Sequence, residues 1–329
     1  MRYPYFESIH LFIRKGQLLN IKYMGKSKIN NIFSGNGLYY TIYYALRFTH
    51  LDYLLPDKTF LKLKYRCYTG RKLNLNPPVL YTEKLQWLKL YNRNQLLSKL
   101  VDKYEVKDYV SKMIGEQYVI PTIGVWNKVE DIDFQSLPNQ FVLKCTHDSG
   151  GLVICRDKSK LDIVAAKKKL RKSLKNNFYM AGREWPYKNV PRRIIAEEYM
   201  EDIETGELRD YKFFCFDGDV KILFVATDRQ NREEPFFDFY DMNYKHLDIR
   251  SGHPNATTPP AKPKNFELMK ELGSKLSKGF PHVRVDFYEV NGRVYFGEMT
   301  FFHHTGMVLF EPEEWNKTFG DWIKLTNID

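Results

Sequence analysis

The chain has 329 residues, 43% hydrophobic and 28% charged, with a formal net charge of +11. That is the composition of an ordinary globular protein with a substantial core, and its length suits two or three domains. Cys67, Cys145, Cys155 and Cys215 show no C-x-x-C spacing, which excludes a zinc site or disulfide framework and predicts buried thiols.

Residues 1–57 read as a basic, aromatic N-terminal arm. Residues 1–80 carry thirteen Lys/Arg against three Asp/Glu, so ten of the eleven excess charges lie there. Such an excess attracts a polyanion, whether lipid head groups, acidic polysaccharide or nucleic acid. The same stretch holds fifteen Phe/Tyr, and 38–46 is its most apolar run. Nine residues are too few to cross a bilayer, which needs about twenty. A basic, tyrosine-rich helix suits the membrane interface, although aromatic clusters more often pack as core or in a dimer contact. Residues 1–20 lack an uninterrupted apolar region of the secretory kind, so the expectation is a cytoplasmic protein, peripheral at the inner face of the membrane in the interfacial reading.

Residues 58–136 read as a helical linking region. A turn at 74–78 leads to a helix over 81–91, and a second helix follows over 96–114, with Val106, Val110 and Met113 on its apolar side and a stop at Gly115. A strand is expected over 118–126. Residues 137–202 form a first lobe. There, 140–144 is a short apolar strand carrying Lys144 and running into the small, glycine-containing loop 146–151. A lysine-rich helix over 161–174 and a buried strand over 193–200 follow.

Residues 203–329 form a second lobe. Asp210-Tyr-Lys212 opens a strand through Phe216, which turns at Asp217-Gly218-Asp219 into 220–226. Residues 230–265 are polar and read as a long loop. The lobe ends in a hairpin carrying Arg284-Val-Asp286 and Phe296-Gly-Glu298-Met-Thr300. Alternate residues of a strand share a face, so Arg284 sides with Asp286, and Glu298 with Thr300. Two hard carboxylates beside an arginine suit Mg²⁺ bridging nucleotide phosphates, whereas the plainer alternative is a cross-strand ion pair. A two-residue turn at Asn291-Gly292 would place Glu298 opposite Val285, on the wrong face. The expected turn is therefore a three-residue loop over 290–292 with helical Asn291 and positive φ at Gly292, setting Arg284 opposite Glu298 with Asp286 diagonal on the same side.

The order of these parts (Asp102-Lys103 on a helix, Lys144 on a strand, a Gly-rich loop, a strand ending at 197–200, Asp210-x-Lys212, Arg-x-Asp and Glu-x-Thr) resembles the ATP-grasp superfamily. Lys62-Leu-Lys-Tyr-Arg66, the Glu83-Lys-Leu-Gln-Trp-Leu-Lys89 core of 77–89, 137–144, Glu197-Glu-Tyr and Asp210-Tyr-Lys-Phe-Phe resemble its TupA-like branch, named for teichuronopeptide biosynthesis. The likeness spans about 58–311 and leaves the first fifty or so residues aside. It implies an α+β fold in which two α+β lobes sandwich ATP, with the basic aromatic arm as an N-terminal helical extension.

By that resemblance, Lys103 and Lys144 neutralise the α- and β-phosphates, and Ser149, Gly150 and Gly151 close over them. Glu197, Glu198, Tyr199 and Met200 meet the adenine edge, and Asp210 the ribose. Lys212 and Arg229 reach the γ-phosphate, Asp286 and Glu298 hold Mg²⁺, and Arg284 stabilises charge on the transferred phosphoryl group. Thr300 stands where many ATP-grasp enzymes carry an amide, which leaves its contact with metal and the number of ions open. His303 and His304 orient the acceptor or take the amine proton, or are polar loop residues without a chemical role. The implied activity is an ATP-dependent carboxylate–amine ligase that forms an amide through an acyl phosphate, joining an amine or amino acid to a uronic acid of a cell-surface polysaccharide or its precursor, with no nucleic-acid partner. The residues themselves support phosphoryl transfer and leave two alternatives: a kinase using the same site, and a glycosyltransferase suggested by Asp131-Ile-Asp133 and Asp217-Gly-Asp219. The second of these reads better as a hairpin turn, and a non-catalytic binding module fits least.

Overall fold

A computed structural model describes residues 37–228 and 234–325 of the chain. The chain divides into two compact units, 1–77 and 78–329. In the first, helix α1 (Gly37–Phe48) and helix α2 (Asp57–Thr69) flank a short 3₁₀ turn, Leu51–Leu54. Tyr40 and Tyr43 of α1 are buried with Phe60, Leu61, Tyr65 and Cys67 of α2, and Tyr43 meets Phe60 and Tyr68 at ring-centroid distances of 6.0 and 5.9 Å. Two of the four tyrosines in the 38–46 run are thus core. Leu38, Ile42, Phe48, Leu51 and Leu54 remain exposed. No described helix is long and apolar enough to cross a membrane. The rest of the arm's expected features, before residue 37, lie outside the described residues.

The second unit opens with helices α3 (Tyr81–Tyr91), α4 (Leu96–Val101) and α5 (Glu105–Ile114). The single helix expected over 96–114 is broken at Asp102, which is extended. The Asp102 carboxylate accepts from the N–H groups of Tyr104 and Glu105 at 2.9 and 3.4 Å, and Arg193 donates to its other oxygen at 2.7 Å. A side chain that bonds the following backbone competes with helix continuation and starts a new helix instead. Lys103 therefore sits in the break and not on a helix.

Two antiparallel sheets follow. The first contains β1 (Thr122–Trp126), β2 (Phe141–Cys145), β3 (Leu152–Cys155) and β4 (Ile194–Glu198), in the order β1-β4-β2-β3. The strand expected over 118–126 is shorter, because Glu116–Tyr118 is a 3₁₀ turn. Helix α6 (Ile163–Leu174) buries Ala166 and Leu170 with Phe141, Leu143 and Cys145, and the short helix α7 (Phe178–Gly182) comes before β4.

The second sheet contains β5 (Asp210–Phe216), β6 (Asp219–Thr227), β7 (Phe236–Tyr240), β8 (His246–Leu247), β9 (Val283–Val290) and β10 (Arg293–Thr300), in the order β10-β9-β5-β6-β7-β8. The long loop expected over 230–265 thus contains two strands: Phe237, Phe239 and Tyr240 are buried, apolar cover that overrides the polar average of the stretch. Every residue of β5 is buried, as a central strand covered on both faces must be. Helix α8 (Phe266–Ser277) places Phe266, Met269 and Leu276 in the same core as Phe213, Val285 and Phe287, and helix α9 (Glu314–Trp322) adds Phe319. All four cysteines are free and buried, and burial raises the thiols of Cys67 and Cys215 to about 12.

The terminal hairpin corrects the expected turn and keeps its consequence. Asn291 and Gly292 both have positive φ, 50° and 75°, so the loop is a two-residue turn pairing Val290 with Arg293. This is the turn whose twist suits a hairpin, and Asn291 is left-handed rather than helical. A bulge between Phe296 and Glu298 then shifts the register, setting Glu298 opposite Asp286 and Thr300 opposite Arg284. The extra residue is Gly297, where a Cβ would lie 3.1 Å from the Asp286 carbonyl oxygen and 3.2 Å from the Tyr288 ring. The bulge does what the longer loop was expected to do: Glu298 and Asp286 share a face. Because a Cβ at Gly292 would meet nothing within 4 Å, Gly292→Ala should cost only backbone strain, about 1 kcal/mol, read as a lower urea midpoint with an unchanged slope.

Candidate active site

Pairing across β10, β9 and β5 brings Thr300 and Glu298, Arg284 and Asp286, and Lys212 and Asp210 to one face. The guanidinium of Arg284 organises them. Its Nε donates to Asp286 Oδ1 and its Nη2 to Asp286 Oδ2, each at 2.7 Å. The same Nη2 donates to Glu298 Oε1 at 2.7 Å, and Nη1 meets His303 Nδ1 at 2.8 Å. Lys212 donates to Asp286 and, at 2.9 Å, to Asp210 Oδ1. Thr300 Oγ1 donates to Glu298 Oε1 at 3.1 Å. Three carboxylates thus face two cations, leaving one negative charge in excess. Burial raises the pKa of the Glu298 carboxyl, but the charges of Arg284, Lys212 and Lys103 outweigh it and hold the group below its ordinary range.

These donors fit a hard cation. Asp286 and Glu298 already converge on one positive nitrogen, and a hydroxyl stands beside them. Among the described residues no group of three or more His, Cys, Asp or Glu forms a metal cage.

The first sheet supplies a second cluster. The Glu197 carboxylate is buried between Lys107 and Lys144, with both ion pairs at 2.5 Å. Burial raises its pKa, and the two lysines outweigh that and lower it overall. Burial in turn lowers the pKa of Lys107, against the pull of Glu197. Strand β4 ends at Glu198, so Tyr199 and Met200 lie past the ladder; the Tyr199 hydroxyl accepts from Arg156 Nε at 2.8 Å. Lys107 is one turn beyond Lys103, and that spacing on a predicted helix was the available signal for it.

In the Gly-rich loop, the N–H groups of Gly150 and Gly151 donate to Asp148 Oδ1 at 3.2 Å each, and Ser173 Oγ donates to Asp148 Oδ2 at 2.5 Å. Lys103 Nζ donates to the Asp148 carbonyl at 2.5 Å. Lys103 also lines a small pocket with Tyr187 and Glu298, which links the loop to the carboxylates. Asp148 was legible as a residue of the loop, but its bonds to the two glycines depend on the loop conformation. Of the remaining residues singled out in the sequence, Arg229 lies outside the described residues. One aspartate of each Asp-x-Asp pair is engaged in backbone bonding: Asp217, in a left-handed turn with Gly218, accepts from Gly279 N–H at 2.8 Å, and Asp133 accepts from Gln135 N–H at 2.9 Å.

His303 and His304 occupy the segment after β10. His303 is 1% exposed, and a guanidinium only donates, so His303 Nδ1 is the acceptor and Nε2 carries the proton. Burial lowers the pKa values of His282 and His304 to about 3. Burial, with His304 and Arg284 adding to it, holds His303 well below the ordinary imidazole value.

The chain matches the TupA-like ATP-grasp family model over residues 83–324, and it belongs to that family. No curated protein matches it in sequence. Among solved structures it is similar to D-alanine–D-alanine ligase from Bacillus anthracis complexed with ATP, at 16% identity and a TM-score of 0.41, over 69% of this chain and 66% of that one. It is also similar to the ATP-grasp ligase PsnB complexed with minimal precursor, Mg and ADP, at 12% identity and a TM-score of 0.37, over 74% and 62%. A second structure of the Bacillus anthracis ligase is 19% identical with a TM-score of 0.36, over 62% of this chain and 58% of that one. The chain thus spans about three fifths to two thirds of those proteins, and likeness this distant carries no residue role over to it.

The neutral imidazoles set an acid limit on stability. Unfolded histidines bind protons below about pH 6.5, whereas these buried ones stay neutral far lower, so the unfolded state gains protons first and stability falls as the pH drops. Each buried imidazole should contribute roughly 1.4 kcal/mol per pH unit below about 6.5. Urea midpoints measured between about pH 7 and about pH 5 should therefore decline, above the range where carboxylates titrate. A flat profile there contradicts the neutral assignment.

Proposed function

We propose that this chain is an ATP- and Mg²⁺-dependent carboxylate–amine ligase. The observation that carries the reading is the pairing of Asp286 with Glu298 on one face around Arg284, with Lys212 alongside. Asp286 and Glu298, with Thr300 beside them, hold Mg²⁺, which when bound neutralises phosphate charge. Lys103 and Lys144 meet the α- and β-phosphates. The amides of Gly150 and Gly151, which here hold a carboxylate, have the character of a backbone anion site and, with Ser149, cover the phosphates. Glu197, Glu198, Tyr199 and Met200 border the adenine and Asp210 the ribose. Lys212 and Arg229 address the γ-phosphate.

In this reading a carboxylate oxygen of the acid attacks the γ-phosphorus and ADP leaves. The amine nitrogen then attacks the acyl carbon, phosphate leaves and the amine proton is released. Arg284 stabilises the charge that develops in both steps. His303, with its proton on Nε2, serves to orient the acceptor through that N–H, and His304 stands next to it at a ring distance of 4.4 Å. Family membership supports a uronic acid of a cell-surface polysaccharide, or its precursor, as the acid and an amino acid or other amine as its partner.

Two measurements test the chemistry. Hydroxylamine supplied with ATP and the correct uronic acid should yield a hydroxamate, whereas a phosphorylated acceptor that survives hydroxylamine supports a kinase instead. Asp286→Asn should abolish the thermal stabilisation given by Mg·ATP and reduce ADP release by a factor of about 100 or more.

We also infer that the N-terminal unit meets an anionic surface. The excess positive charge of residues 1–80 and the exposed Leu38, Ile42, Phe48, Leu51 and Leu54 support this. Deleting residues 1–50 should weaken sedimentation with anionic vesicles in a salt-dependent way. An intact protein that ignores both such vesicles and acidic polymer would assign the arm a purely structural role.

A further inference from the structure

The segment after β10 adopts a conformation that ordinary side chains avoid. His304, Thr305 and Gly306 have φ of 46°, 54° and 67° in succession. The left-handed region costs a residue with a Cβ roughly 1–2 kcal/mol, so two such residues in a row persist only where the surroundings over-determine them. Helix α3 does so. Gln86 Nε2 donates to the carbonyls of Thr305 and Gly306 at 3.3 and 2.8 Å. Lys89 Nζ donates to the carbonyl and hydroxyl of Thr305 at 2.7 and 3.0 Å, and to the carbonyl of Gly182 at 2.9 Å. Both side chains are buried, Gln86 at 0% and Lys89 at 1% exposure. The approach is close: a Cβ on Gly306 would lie 2.5 Å from Gln86 Nε2 and 2.8 Å from Leu85 Cβ.

The polar residues of the Glu83–Lys89 stretch divide by purpose. Glu83 accepts from the N–H groups of Val79 and Leu80 at 2.9 and 3.0 Å, capping its own helix. Lys84 donates to the carbonyls of Gly320 and Ile323, both at 2.8 Å, at the end of α9. Gln86 and Lys89 instead reach the left-handed turn, which directly follows His303, the partner of Arg284. Burying a lysine on carbonyls is costly unless its bonds are made, and here they are made to the turn that presents His303.

We propose that Gln86 and Lys89 are positioning residues for the reaction, holding the 304–306 turn left-handed so that His303 stays against Arg284 with its proton on Nε2. The clamp fixes which imidazole nitrogen is free to donate: Nδ1 is taken by Arg284, while buried Nε2 has no partner among the described residues. Its use by a substrate oxygen rests on the ligase reading, whereas the clamp itself does not.

The test is imidazole ¹⁵N spectroscopy on the full chain, which reports the tautomer of each histidine. In the unaltered protein, His303 should show the Nε2–H pattern. Lys89→Met and Gln86→Leu should each convert that signal to mixed tautomers while His246, paired with Asp238 at 3.0 Å elsewhere in the sheet, keeps its own. A folded variant with the His303 pattern unchanged overturns the proposal, because loss of packing alone does not move one tautomer. If Lys89→Met does not fold, Gln86→Leu decides by the same two outcomes. The hydroxamate assay is read separately: a wild-type enzyme that makes no hydroxamate removes the ligase reading and leaves the tautomer result standing.

Discussion

The shared guanidinium of Arg284 is the contact on which the site depends. Four of its hydrogen bonds go to Asp286, Glu298 and His303, so three separate pieces of chain must arrive together for all of them to form. Asp286 and Arg284 arrive by alternation along one strand. Glu298 arrives because Gly297 inserts an extra residue in the partner strand. His303 arrives because helix α3 holds the turn behind it. A buried group of this kind is costly to leave half made: removing one partner of a buried ion pair typically costs about 3–5 kcal/mol. Lys212 limits that exposure by bonding Asp286 and Asp210 from the neighbouring strand.

The first sheet repeats the logic with opposite charge. One buried carboxylate, Glu197, lies between Lys107 and Lys144, leaving an excess of one positive charge where the second sheet has an excess of one negative. A triphosphate with its cation presents both signs. Lys107 comes from helix α5, whose start is set by the Asp102 carboxylate and Arg193, so the break in the helix and the basic cluster are one arrangement. The same break puts Lys103 against the Gly-rich loop. The loop glycines in turn depend on Asp148, whose carboxylate gathers two amides, Ser173 and Asn176.

Local pattern was a sound guide wherever one residue type decides the local energy. The helix over 81–91, the strands around Lys144 and Lys212, and the Asp217-Gly218 turn were legible, because apolar periodicity and an Asp-Gly pair act over a few residues. The hairpin at 291–292 shows the boundary. Asn-Gly favours a two-residue turn on local grounds, and face-sharing by two carboxylates argued against it. The structure satisfies both through a bulge seven residues from the start of the pairing at Val290; a lone glycine in a strand hints at such a bulge, but only the pairing with the neighbouring strand fixes the register it creates. The long loop over 230–265 failed for a related reason: Phe236 to Tyr240 is a strand because β6 lies beside it, and the polar residues around it masked the apolar run.

The sequence by itself determined the order of parts, the residue types of the site and the family to which they point, since charge, hydroxyl and amide chemistry are carried by single side chains. Tertiary structure alone decided which of those side chains touch. Lys107 and Lys89 look alike as helix lysines, yet one faces a buried carboxylate and the other clamps a left-handed turn. That difference is set by what packs opposite each helix face, through contacts between residues as far apart as Lys89 and Thr305. Such contacts exist only once conformational entropy has been given up across the whole unit, and a pattern within one segment cannot encode them.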